Sequence, residues 1–189
     1  MENDRWLIAG LGNPGPGFAG NRHNVGFMCA DEIATRIGAN FKRDRSRSMA
    51  LSGSLAGRPV TVCKPITFMN MSGGPVSALS RFLKVPPARI LVIHDELDVP
   101  FGTIRMKLGG GDNGHNGLRS VTSALGTREY YRIRIGIGRP PGRMDPADFV
   151  LHDFAAAERA ELPGLLDRSA DAVDALLTQG LAAAQNTFH

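Results

Sequence analysis

WLIAGLGNPGPGFAGNRHNVGF (Trp6–Phe27) is the stretch whose reading decides the fold. Its first residues, Trp6 to Leu11, are an apolar run of strand length, and a strand apolar on both sides belongs inside a sheet. Gly10, Gly12 and Gly15 then satisfy G-x-G-x-x-G, the glycine pattern of a dinucleotide site. That reading needs a helix to open at the glycines, so that its first N–H groups meet a pyrophosphate. Pro14, Gly15, Pro16, Gly17 and Gly20 make the segment a loop instead. It also needs an acidic residue at the end of a second strand about 20 residues on. The candidates, Asp31 and Glu32, fall within a helical pattern. The glycines are better read as a sharp turn at the C-terminal edge of the first strand, where open α/β sheets gather ligands. Asn13 and His23 then stand at the mouth of a cleft.

Working outward, residues 25–37 carry apolar side chains at helical spacing, with Glu32 and Arg36 as an i,i+4 pair and Gly38 as the stop. Residues 42–48, KRDRSRS, read as a basic loop. Residues 48–55 and 59–64 flank Gly57 as a hairpin. Residues 72–83 read as a helix, 90–94 as a central strand and 103–108 as another strand. GGGDNG (109–114) is a loop, 116–125 a helix, and 131–138, where Ile alternates with Arg, a half-buried strand. Residues 155–184 have helical spacing with breaks expected at Pro163–Gly164 and Gly180. Strands and helices alternate throughout. The expectation is one domain over residues 1–189, an α/β three-layer sandwich whose twisted, mixed, mostly parallel sheet is flanked by helices.

Composition narrows the function. The chain has 189 residues, 42% hydrophobic and 21% charged, which suits one domain with a real core. No apolar run approaches the ~20 residues of a membrane span. MENDRW at the start lacks the basic and apolar regions of a secretion signal and is not read as one. Cys29 and Cys63 sit among apolar residues and read as buried, reduced thiols. Residues 1–143 hold 20 Lys and Arg against 10 Asp and Glu, whereas residues 144–189 hold 2 against 8. A basic body suits a polyanionic partner, nucleic acid above all. The acidic tail is expected to cover the core.

Five segments place polar residues beside glycine-containing turns: GLGNPG (10–15), NRHNVGF (21–27), KPITFMNMSGG (64–74), HDELDVPFG (94–102) and KLGGGDNGHNGL (107–118). Loops at one edge of a parallel sheet can converge on a single site. Asn13, Asn24, Asn70 and Asn116 offer neutral donors and acceptors; His23, His94 and His115 offer bases; Asp95, Glu96 and Asp98 offer carboxylates. A histidine oriented by a carboxylate is the usual general base near neutral pH. Amides can hold water or an oxyanion without competing for the proton. Taken singly, each has a plainer role: His94 ends a buried strand as a structural histidine, and the carboxylates and asparagines serve turns. There is no G-x-S-x-G, H-E-x-x-H, paired C-x-x-C or G-x-x-x-x-G-K-[ST], which disfavours a serine nucleophile, zinc and a P-loop. HDELD could bind Mg²⁺, but no second acidic cluster lies at another strand end.

Taken together, the five segments resemble the bacterial peptidyl-tRNA hydrolase family in order and spacing, and RIRIGIGRP and DFVL match as well. The likeness runs from about Leu7 to Phe154 and continues more weakly through GLAAAQNTFH. The resemblance implies cleavage of the ester joining a peptide to the 3′ ribose of tRNA, by a monomeric cytoplasmic α/β enzyme with no cofactor and no metal. It implies His23 as general base and Asp95 as its orienting carboxylate. Asn13 and Asn70 would hold the peptide, Met69 would line its channel, and Asn116 would hold the water or the oxyanion. His115 would lie beside Asn116. Lys107 and Arg134 would grip the tRNA acceptor stem, whose 3′ CCA end enters the site. Phe18 stands where the family often has tyrosine, so a substrate contact there would keep stacking and lose a hydroxyl. Asp112 puts a negative charge in the glycine-rich loop, and residues 140–142 form a proline-rich turn. Two other classes share these features: an RNA-binding protein without catalysis, and a metal-dependent phosphoesterase. The complete base, acid and amide set favours the hydrolase over both.

Overall fold

The structure, a computed structural model, describes residues 3–189. Among the described residues seven strands form one sheet: β1 (Trp6–Gly10), β2 (Lys42–Asp44), β3 (Ser48–Leu55), β4 (Arg58–Pro65), β5 (Ile90–Glu96), β6 (Ile104–Leu108) and β7 (Tyr131–Gly136), in the order β2-β3-β4-β1-β5-β7-β6. The central four, β4-β1-β5-β7, run parallel, and the antiparallel pairings are confined to the flanks. The helices are α1 (Val25–Ile37), α2 (Gly73–Leu83), α3 (Asn116–Leu125), α4 (Pro146–Phe149), α5 (Ala156–Gln179) and α6 (Leu181–Phe188).

The alternation of strand side chains sorts the core into two layers. Ile8, Leu91, Ile93, Ile133 and Ile135 face one side, against α1, α5 and α6. Leu7, Ala9, Ile90 and Val92 face the other, against α2 and α3. β1 and β5 are buried on both sides, which is why their sequences are continuously apolar.

The glycines of the opening stretch serve packing. A Cβ on Gly10 would lie 2.3 Å from the Gly26 carbonyl oxygen, and one on Gly26 would lie 2.4 Å from that of Ile93. α1 therefore begins pressed against β1 and β5, with no room for a cofactor between them. The helix opens at Val25, ten residues past the glycine motif.

Three expectations are corrected. Residues 42–48 are not wholly loop: Lys42–Asp44 pairs antiparallel with β3. No break occurs at Pro163–Gly164, where α5 runs unbroken to Gln179 before the break at Gly180. Both residues face solvent, while Leu165, Ala172, Val173 and Leu176 anchor the helix from its other face. Arg36 of α1 reinforces it by donating to Asp167, Asp171 and Asp174 at 2.6, 2.8 and 3.2 Å. Finally, β7 is more than half-buried. Arg132 is fully buried, stacked on Tyr130 and donating to the carbonyls of Gly110 and Gly111.

Candidate active site

β1, β4 and β5 all end at the same sheet edge. The chain leaving them brings Asn13, Met69, Asn70, Asp95 and Glu96 to one cleft of about 510 Å³, also lined by His23, Asn113, His115 and Asn116. Its far wall is α4 and the residues after it, Pro146, Ala147, Val150 and Leu151. Sequence reading assigned this wall no role, although DFVL lies within it.

That wall also fixes the base. His23 sits in a single 3-10 turn, Arg22–Asn24, just before α1. Its backbone N–H donates to Val150 O at 2.9 Å, and that of Arg22 donates to His152 O at 3.1 Å. The Arg22 guanidinium stacks 3.9 Å over Phe149 and pairs with Glu158 at 2.9 Å. Nothing in the local sequence marked Arg22 as buried.

His23 Nδ1 lies 2.8 Å from Asp95 Oδ2, and His115 Nε2 lies 2.8 Å from Asp95 Oδ1. His115 Nδ1 accepts the N–H groups of Gly117 and Leu118, capping α3. Its proton is therefore on Nε2 and is donated to Asp95. A carboxylate accepts only, so His23 donates from Nδ1 and keeps the lone pair of Nε2, which has no partner among the described residues. Burial would raise the Asp95 pKa, but the two imidazoles hold it well below the usual carboxylate range. Burial pulls the His23 pKa down, and the charge and hydrogen bond of Asp95 together overcome it, leaving it above the ordinary value. His94 differs. It is buried, donates from Nδ1 to the Asp95 carbonyl, and is pushed down to about 3 by burial and by His115. It is a neutral structural histidine, as the strand pattern suggested.

The asparagines divide the remaining work. Asn24 closes both backbone groups of Asn13, accepting its N–H and donating to its carbonyl at 2.9 Å each. Asn13 Oδ1 accepts the Met69 N–H at 2.7 Å. This fixes the amide so that Nδ2 is left without a partner among the described residues. The side chains of Asn70 and Asn116 likewise make no hydrogen bond there and line the cleft.

Phe18, Lys107 and Arg134 do not line the cleft. Phe18 is half-buried in the turn after Gly15, its N–H on the Gly15 carbonyl. Lys107 and Arg134 lie on β6 and β7 among Arg105 and Arg132, a cross-strand basic cluster beside the site. Burial, Arg134 and Arg132 lower the Lys107 pKa. Arg134 donates to Glu96 Oε1 from Nε and Nη2 at 3.2 and 3.1 Å. Asp112 caps the Gly114 N–H at 2.9 Å and pairs with Arg119 at 3.6 Å, so its charge is partly balanced.

Among the described residues, His23, Asp95 and His115 also form a group compact enough for a cation, with ligand atoms within 4.8 Å. These atoms already satisfy one another by hydrogen bonds, and a metal would have to break them. The HDELD carboxylates Glu96 and Asp98 are held by Arg134, Arg139 and Asn113. Cys29 and Cys63 are free and buried, which pushes both thiols up to about 12. No helix among the described residues is long and apolar enough to cross a membrane.

Comparison with known proteins agrees over the whole chain. The family model described as peptidyl-tRNA hydrolase matches residues 7–189. A protein of that name from Frankia alni is 63% identical over 100% of this chain and 95% of its own length. Another, from Mycolicibacterium smegmatis, is 58% identical over 97% of this chain and 96% of its own. A crystal structure of peptidyl-tRNA hydrolase from Acinetobacter baumannii superposes with a TM-score of 0.91 at 36% identity, covering 98% of this chain and 94% of that one. With the His23–Asp95–His115 centre at the sheet edge and these matches over its length, the chain belongs to the peptidyl-tRNA hydrolase family.

Proposed function

We propose that this protein hydrolyses the ester between a peptide, or an N-blocked aminoacyl group, and the 3′ ribose of tRNA, with water as nucleophile and His23 as general base. One observation carries the reading: an imidazole whose Nδ1 is fixed on a buried carboxylate and whose Nε2 is free at an amide-lined cleft. Membership of the family supports it.

A water beside His23 Nε2 gives up its proton as it attacks the ester carbonyl. Asp95 stabilises the imidazolium that forms. Asn116 donates to the developing oxyanion or holds the water. The tetrahedral intermediate collapses, expelling the ribose oxygen, which takes the proton back from His23. Base catalysis of this kind supplies ~10²–10⁴-fold, and an oxyanion donor ~3 kcal/mol. A ribose oxygen leaves readily enough that no covalent enzyme intermediate, metal or cofactor enters the scheme.

The peptide lies along the apolar side of the cleft, by Met69, Leu97 and Val150, with Asn13 Nδ2 and Asn70 as donors to its carbonyls. His115 belongs behind the reaction, since both its ring nitrogens are engaged. The acceptor stem, leading to the 3′ CCA end, rests on the basic strand pair through Lys107 and Arg134, and its backbone shape is read more than its bases. The protein acts as a monomer in the cytoplasm, where interrupted translation leaves such esters. Release of N-acetylaminoacyl groups from tRNA by the wild-type protein, and its loss in His23→Ala, tests the assignment.

A further inference from the structure

Glu96 follows Asp95 on β5 and is nearly buried, with its side chain 8% exposed. Its two carboxylate oxygens face in different directions. Oε1 accepts from Arg134 Nε and Nη2. Oε2 accepts from Asn113 Nδ2 at 2.9 Å, and Asp98 shares that same amide. Asn113 has a left-handed backbone, φ 49°, at the turn that delivers His115 and Asn116. Arg134 keeps Nη1 without a partner among the described residues, and its side chain is 23% exposed. One buried carboxylate thus joins the basic strand pair to the loop that aims the amide and second histidine of the cleft.

We propose that Glu96 is a positioning residue through which a tRNA phosphate at Arg134 raises the rate of ester cleavage, and not only the affinity. The inference rests on the reading given under Proposed function. A phosphate drawing Arg134 outward loosens its hold on Oε1 and leaves the carboxylate to Asn113. The 109–114 loop is then fixed with Asn116 in place over the cleft. Both Glu96 oxygens are already occupied, Oε1 by Arg134 and Oε2 by Asn113. Glu96 acts by holding the loop, and removing its charge separates the two halves of the site.

The test compares kcat at saturation on two substrates carrying the same N-acetylaminoacyl ester. One is full-length tRNA, and the other is the CCA trinucleotide, which lacks the acceptor-stem phosphates. The wild-type protein is expected to turn over tRNA about tenfold faster than CCA, the scale of one charge-assisted hydrogen bond. Glu96→Gln and Asn113→Ala are each expected to bring that ratio close to one, the tRNA turnover falling several-fold more than the CCA turnover when the hydrogen bond that holds the loop is lost. A role confined to stability would slow both substrates together and leave the ratio intact. Should Glu96→Gln fail to fold, Asn113→Ala carries the test, since it keeps the Glu96–Arg134 pair. An unchanged ratio in the variants, or a wild-type ratio near one, overturns the proposal. Failure of the wild-type protein to cleave either ester would instead overturn the hydrolase reading itself.

Discussion

His23 and Asp95 meet at 2.8 Å across 72 residues of sequence, one in a turn before α1 and the other inside β5. The contact forms because β1 and β5 are parallel neighbours and Gly10 and Gly26 let α1 begin against both. The chemistry of the site is therefore built on close packing, and perturbing either half should be felt in the other.

Replacing Asp95 by Asn should lower kcat by roughly 10²–10⁴, because an amide can hold the wrong tautomer and gives the imidazolium no charge partner. The pH profile should also move. His23 must be neutral to act, so kcat/KM in the wild-type protein falls as pH drops through a His23 pKa raised above 6.5. In the Asn variant the raising influences vanish and burial remains, so the acid limb shifts to lower pH. The pH dependence of kcat/KM for both proteins checks this.

The same pair governs stability. The raised His23 contributes stability in full below its unfolded value and loses it as pH rises through the folded one. Asp95, lowered in the fold, contributes above its ordinary range and loses that contribution as pH falls. Chemical denaturation across pH should show the acid-side loss shrink in Asp95→Asn.

His115→Ala removes the cap of α3 and a hydrogen bond to Asp95 in one step. A lost cap costs about 0.5–2 kcal/mol, so the melting temperature should drop by several degrees. The turnover should fall as well, because Asp95 loses its second anchor. Calorimetry and a release assay on one preparation separate the two effects.

Asn13→Asp keeps the acceptor for the Met69 N–H but removes the Nδ2 donor and adds a charge. Stability should fall, because the new carboxylate is buried with only the Met69 N–H as partner, and kcat/KM for N-acetylaminoacyl-tRNA should fall about tenfold or more, the scale of one or more hydrogen bonds to substrate. Discrimination between blocked and unblocked aminoacyl-tRNA should weaken. Unchanged discrimination between the blocked and unblocked esters would show that the donor does not read the peptide.

Gly26→Ala would drive a methyl group to 2.4 Å from the Ile93 carbonyl, which only a backbone shift of α1 can relieve. Overpacking of this kind costs typically ~1–3 kcal/mol. Because the turn carrying His23 runs directly into α1, kcat should fall with stability, as thermal unfolding and turnover will show.

The sequence made the central strands, the major helices and the shared sheet edge readable, because two-sided burial and helical spacing leave strong marks. His23, Asp95, Asn13, Asn70 and Asn116 could be placed together from loops at strand ends, the family resemblance added Met69, and the structure brings all six to one cleft. What escaped notice was held by long-range contacts. Lys42–Asp44 has no apolar alternation and is a strand only because β3 pairs with it. Pro163 looks like a helix breaker until Arg36 and the apolar face of α5 hold the helix across it. Arg132 resembled a surface residue because the loop carbonyls that receive it lie about 20 residues upstream. The Pro146–Leu151 wall has little chemistry of its own and matters through the backbone oxygen it offers His23.

The most direct test is single-turnover release from N-acetylaminoacyl-tRNA by His23→Ala, measured beside its tRNA affinity. Loss of at least about 10²-fold in rate, with affinity within a few-fold of wild type, is the expected result for removal of a general base. Cleavage at an undiminished rate would contradict the account, since no other side chain in the cleft presents a free imidazole lone pair held by a buried carboxylate.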